Sequence, residues 1–168
     1  GQVSVTGAVI WMVAQALISL FILLSFNHAA ISLGVLALLP VAVYPFAKRF
    51  TWWPQLFLGI AFNWGALLAW TAHTGLLGAP AVVLYFAGIG WTLFYDTIYA
   101  HQDKEDDILI GIKSTALKFG ASTRPWLIGF YAATAVLMAA VGLLAGLGWP
   151  FYLALGLGAL HLLWQAGM

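Results

Sequence analysis

The chain has 168 residues, 64% of them hydrophobic and 7% charged, with a net charge of +1 and a mean hydropathy of +1.00. An ordinary soluble domain is about 25% charged, so this composition excludes a soluble fold and defines an integral membrane protein with lipid as its surroundings. The small net charge argues against a nucleic-acid partner, and the lack of cysteine excludes disulfides and thiolate metal sites.

Crossing a bilayer core takes roughly 20 residues of helix. Windows free of charge recur at about that length over residues 5–26, 30–47, 54–73, 80–98, 125–146 and 150–167. Their apolar runs are continuous and lack the alternation of barrel strands, which predicts an all-α transmembrane bundle of about six helices. The longest polar segment, residues 100–124, reads as a loop, so residues 1–168 form one membrane domain. No cationic region or small-residue cleavage site opens the chain, which argues against a signal peptide. A start at Gly1 and not Met suggests a piece of something longer or a processed product.

If the spans alternate, the loop with Lys48 and Arg49 and the loop after His101 share one face, and every charged residue lies there. The positive-inside rule puts that face in the cytoplasm or the mitochondrial matrix. Trp52, Trp53, Trp91, Trp126 and Trp149 fall near predicted interfaces and read as anchors.

The first chemical constellation is Tyr44-Pro45-Phe46-Ala47-Lys48-Arg49-Phe50-Thr51-Trp52-Trp53-Pro54-Gln55. Pro45 is expected to end one helix and Pro54 to start the next, holding Lys48 and Arg49 in a tight turn. Cations there suit a diphosphate or a carboxylate, Arg in bidentate fashion; plain positive-inside anchoring is the competing reading.

The second is acidic. Nine of the eleven charged residues lie between Asp96 and Arg124. Continued as one helix past residue 98, the chain would carry Asp96, Asp103 and Asp107 at i, i+7 and i+11, within roughly 20° of one face. Oxygen-only ligands suit a hard cation such as Mg²⁺, which takes one or two carboxylates plus phosphate oxygens and water. The competing reading is a solvated acidic loop with Lys104 as a local partner. Asp96, with no Lys or Arg within six positions, sits at the end of an apolar run, where an ionisable group is functional by default.

Gly111-Ile112-Lys113-Ser114-Thr115 is not a nucleotide loop, because Ile112 separates the glycine from the lysine; Lys113 reads as a second diphosphate contact or a loop cation. His28 and His73 read as interfacial polar groups, His161 as bonded to a neighbouring helix, and His101 as lacking a second histidine at ligand spacing. Gly142 and Gly146 make a Gly-x-x-x-Gly pair suited to close helix packing.

Tyr95-Asp96-Thr97-Ile98-Tyr99-Ala100, then Asp103, Asp106-Asp107 and Gly111 to Ala116, resemble the second aspartate-rich motif of the UbiA superfamily of membrane prenyltransferases. The form is that of its 4-hydroxybenzoate polyprenyltransferase branch, in ubiquinone synthesis. Tyr44-Pro45 through Pro54-Gln55, continuing over Leu58 to Gly65, is similar to the same branch's loop between its fourth and fifth helices. The resemblance implies a nine-helix bundle whose cytoplasmic mouth holds two Mg²⁺ ions that grip a polyprenyl diphosphate. The allylic C–O bond then breaks, and the ring carbon ortho to the phenol attacks with loss of a proton. By this analogy Asp96 and Asp103 are metal ligands and Asp107 a third. Arg49 holds the hydroxybenzoate carboxylate, Lys48 and Lys113 favour diphosphate, and Tyr99 and Asn63 line the cavity. The membrane implied is the bacterial or mitochondrial inner membrane.

The superfamily's first motif, Asn-Asp-x-x-Asp-x-x-x-Asp, is not found, since no Asp or Glu precedes Asp96. Gly1-Gln2-Val3-Ser4 resembles the segment that follows it. The chain is therefore expected to be helices three to eight of nine, inactive alone. A transporter-like bundle with Asp96 in an ion pathway and a non-catalytic remnant are the rival readings. A transporter would carry charges deeper in several helices and internal repeats, and neither is visible.

Overall fold

A computed structural model describes residues 3–167; Gly1 and Gln2, part of the opening segment compared above, lie outside them. The described residues form helices joined by short turns, with no strand. Helix α1 (Val5–Leu24) is capped by Ser4, whose hydroxyl accepts from the Gly7 amide at 3.1 Å. It carries apolar side chains on all sides and rests on α2 (His28–Leu36). Asn27 caps α2 and also donates to the carbonyls of Thr71 and Ala72, tying this turn to the end of a later helix.

The next span is a bent arm. Helix α2 gives way to α3 (Leu38–Val43), a 3₁₀ turn (Tyr44–Phe46) and α4 (Ala47–Phe50). Pro40 and Pro45 remove amide donors inside this arm, so the ladder shifts register without stopping. Lys48 and Arg49 consequently sit in the last turn of a helical arm and not in a tight turn between two prolines; the break falls at Thr51. Pro54 does open the next helix, α5 (Pro54–Phe62), at its favoured first position. Asn63 separates α5 from α6 (Trp64–Thr74), which ends at Gly75 with φ +83°, a left-handed cap that glycine adopts without strain.

Helix α7 (Ala79–Ala100) is the axis of the fold, packed along α5 and most extensively along α10 (Thr123–Leu144). Tyr85, Ile89 and Leu93 on α7 form the core with Leu67 and Ala81. Small residues permit the close approach: a Cβ at Gly59 would stand 3.3 Å from the Ile89 backbone, and one at Gly90 would overlap the Thr134 hydroxyl. Between α7 and α10 the segment expected to be a loop contains α8 (Lys104–Leu109), α9 (Thr115–Phe119) and a 3₁₀ turn (Gly120–Ser122).

Helix α11 (Trp149–Gly167) packs back on α10, where Gly142 receives Phe151 and Tyr152 and Tyr131 donates to the Ala159 carbonyl at 2.8 Å. Gly146 plays no part in that packing. At φ +65° it ends α10, with Leu147 N–H reaching the Gly142 carbonyl in a Schellman closure, so the Gly-x-x-x-Gly pair is a packing residue plus a cap. Among the described residues five segments are long and apolar enough to cross a membrane, and α11 adds a shorter apolar stretch, Trp149–Trp164. The chain is an integral membrane helical bundle.

Candidate functional site at the charged end of the bundle

Helix α7 stops at Ala100, and a turn through His101 and Gln102 leads to Asp103 at the start of α8. Asp96, Asp103 and Asp107 therefore do not share one helix face. The turn folds α8 back toward α4, so that Asp107 meets Lys48: Nζ lies 3.4 Å from Oδ1. The Asp107 side chain is 3% exposed and that of Lys48 41%. Asp107 Oδ2 is buried and has no hydrogen-bond partner among the described residues.

Helix α8 closes with Gly111 at φ +70°, where Ile112 N–H reaches back to the Asp107 carbonyl at 3.0 Å. This Schellman closure reverses the chain and delivers Lys113 to the cationic arm. Lys113 N–H donates to the Lys48 carbonyl at 2.9 Å, its Nζ donates to the Phe50 carbonyl at 3.3 Å, and its ammonium lies 5.7 Å from the Trp52 ring centre. Lys113 is thus tied to the end of α4, where a cation also meets the helix dipole favourably.

Beyond Lys113 the chain enters the bundle. Ser114 caps α9, Thr115 N–H donates to Gln55 Oε1 at 3.2 Å, and the hydroxyls of Thr115 and Thr97 lie 2.7 Å apart. Gln55, Thr97, Ser114 and Thr115 are all buried. Sequence reasoning missed these contacts. Their only trace is an amide in the first turn of an otherwise apolar helix.

Asp96 is half-buried on α7. Lys48, Asp103 and Tyr44 lie within electrostatic reach of it. Asp103 is exposed. Tyr99 is 60% exposed, one turn further along α7, edge-on to Tyr95. Arg49 is exposed and makes no hydrogen bond or ion pair among the described residues. Asn63 is elsewhere: its amide donates to the Gly59 carbonyl and the Thr92 hydroxyl, both at 2.9 Å, and its oxygen sits against Gly88. It locks α5 to α7 one turn beneath Asp96; the amide donor expected to face a cavity is used within the bundle.

Among the described residues no three His, Cys, Asp or Glu side chains form a closed metal cage. A Mg²⁺ site completed by substrate phosphate and water needs only one or two carboxylates, and the unpaired Asp107 Oδ2 is the kind of oxygen such an ion takes. His101 bonds Thr123 at 3.1 Å and His161 stacks near Trp164. Trp53 packs edge-on against Phe119, Trp126 and Phe130, with Lys118 over its ring. An apolar hollow of about 410 Å³ between α7, α10 and α11 is lined by Leu84 and Trp91. These positions lie roughly 120–140° around α7 from Asp96, so the hollow is separate from the charged site.

The family described as the UbiA prenyltransferase family matches residues 1–168, and the chain belongs to it. Among curated proteins, the 4-hydroxybenzoate polyprenyltransferase, mitochondrial, of Arabidopsis thaliana is 53% identical over 155 residues, covering 91% of this chain and 38% of that protein. Those of Homo sapiens and Drosophila melanogaster are 49% and 48% identical, each over 98% of this chain and over 45% and 42% of their own lengths. The chain spans less than half the length of these relatives. No solved structure matches it. The transporter reading is not favoured.

Proposed function

We propose that residues 1–168 form one membrane domain, helices three to eight of an aromatic prenyltransferase, and supply one side of its diphosphate site. The reaction transfers a polyprenyl group from its diphosphate to the ring of 4-hydroxybenzoate, a step of ubiquinone synthesis. The observation that carries this reading is the meeting of the Lys48–Arg49 arm with the acidic segment at one end of an apolar bundle, sealed by the Lys48–Asp107 pair and the Lys113–Lys48 backbone bond. The relatives' name, 4-hydroxybenzoate polyprenyltransferase, supports the substrate pair.

Asp96, Asp103 and Asp107 would hold Mg²⁺, which when bound supplies positive charge to the departing diphosphate. Lys48, paired with Asp107, and Lys113, bonded to the Lys48 carbonyl, bind the same diphosphate. Arg49, whose guanidinium has no partner among the described residues, takes the hydroxybenzoate carboxylate. Tyr99 borders the mouth. When the allylic C–O bond breaks, its electron pair leaves with the diphosphate; the ring carbon ortho to the phenol bonds the allylic carbon and loses its proton. The acid-rich first motif would come from the part of the relatives' length that this chain does not span. The membrane is the inner mitochondrial or bacterial one, with the charged loops on the matrix or cytoplasmic side.

The test is Asp96→Asn in the full-length protein that carries this stretch, with Mg²⁺-dependent transfer of a labelled prenyl group to 4-hydroxybenzoate as readout. A loss on the order of 100-fold at unchanged protein level is expected. Near-normal activity removes Asp96 from the site, and no transfer by the unaltered protein favours the non-catalytic remnant.

A further inference from the structure

The geometry points to Gln55, Thr97 and Thr115 as a buried positioning pin that sets the acidic segment and Asp96 in register with the cationic arm; this role rests on the function proposed above. The three side chains come from three elements, the first turn of α5, the last turn of α7 and the first residue of α9. They are 2%, 0% and 0% exposed. Burying a polar group costs free energy unless it is bonded, and here each bonds another. Thr115 N–H is one of the donors a helix start leaves open, and Gln55 Oε1 accepts it at 3.2 Å. The Thr97 and Thr115 hydroxyls meet at 2.7 Å.

Each partner lies next to a residue of the site. Thr115 follows Lys113 by two positions, and Lys113 is bonded to Lys48 and Phe50. The segment between Gly111 and α9 is therefore tied at one end to the cationic arm and at the other to α5. Thr97 follows Asp96 directly. Successive helical residues differ by about 100°, so fixing the Thr97 hydroxyl against α9 fixes the rotation of α7 that holds Asp96 half-buried at the charged end of the bundle. The pin touches neither diphosphate nor ring; it acts through Asp96, Lys48 and Lys113.

Thr97→Val removes one hydroxyl at constant shape, Thr97→Ser keeps it, and Gln55→Met removes the acceptor. In the full-length protein, Thr97→Val and Gln55→Met are expected to raise the Mg²⁺ concentration for half-maximal transfer roughly 10–100-fold, the usual effect of losing an outer-shell partner. Thr97→Ser should stay near the unaltered value. An activity-independent readout uses the chain's lack of cysteine: Lys48→Cys with Lys113→Cys, joined by a backbone hydrogen bond, should form a disulfide readily. The yield should fall severalfold when Thr97→Val or Gln55→Met is added and recover with Thr97→Ser. Unchanged cross-linking with unchanged Mg²⁺ dependence overturns the pin, even if prenyl transfer is sound. Cross-linking that depends on Thr97 and Gln55, together with no prenyl transfer by the protein whose Lys48 and Lys113 are intact, upholds the pin and overturns the proposed function instead.

Discussion

Removing Lys48 should destabilise the protein more than removing the charge of its partner Asp107. Lys48→Met strips the counter-ion from a carboxylate that is 3% exposed and whose Oδ2 already lacks a bond. Breaking a fully buried pair this way costs about 3–5 kcal/mol. Lys48 is 41% exposed and 3.4 Å from Oδ1, longer than a charge-assisted bond of about 2.7–2.9 Å, so screening lowers the figure to about 2 kcal/mol. For a chain of this size that is a fall in Tm of about 4–8 °C. Asp107→Asn relieves the buried charge and leaves a lysine that water can solvate, at a cost of about 0–1 kcal/mol. The double variant should be milder than Lys48→Met alone. Thermal unfolding of the chain in detergent micelles, followed by the fluorescence of its nine tryptophans, gives all three values. Additive effects, or an Asp107→Asn loss equal to that of Lys48→Met, would refute the pairing.

Gly88→Ala drives a methyl into the Asn63 oxygen; the same unfolding assay should show a loss of about 1–3 kcal/mol as the Asn63 amide leaves Thr92. Gly129→Ala, in open space on α10, should instead be neutral or gain about 0.5–1 kcal/mol. Gly111→Ala meets no atom within 4 Å but keeps φ +70°, so it should cost about 1–2 kcal/mol through the backbone alone. The effect should appear as faster amide exchange over residues 104–114.

The spans were legible because hydropathy is local: charge-free windows near the length of a bilayer crossing mark where lipid meets the chain. Pro54 marked the start of α5 for the same reason, since a missing amide acts where it sits. Asn63 gave no such signal. An asparagine in an apolar run does not announce a helix break, and the groups that retain it, Thr92 and Gly88, lie on another span. The acidic segment misled for a related reason. No Gly or Pro stands between Asp96 and Asp107, so local propensity continues the helix and aligns three carboxylates. The observed turn at His101 and Gln102 is a tertiary outcome: a helix running straight on would carry Asp107 away from Lys48 into solvent and leave Gln55 and Thr115 without each other.

The pairs that build the site are far apart in the chain, 59 residues for Lys48 with Asp107 and 60 for Gln55 with Thr115. Residue types identified the charged members as candidates, because a cation or carboxylate beside hydrocarbon calls for a reason. Nothing in a residue type identifies Thr97. Asp96 and Thr97 are neighbours, yet one is half-buried beside charged side chains and the other fully buried among elements of the fold. That division follows from the rotation of α7 alone, and a rotation is set by what packs against the helix. Chemistry-bearing residues can therefore be read from a motif, while the residues that aim them become visible only once the spans are packed.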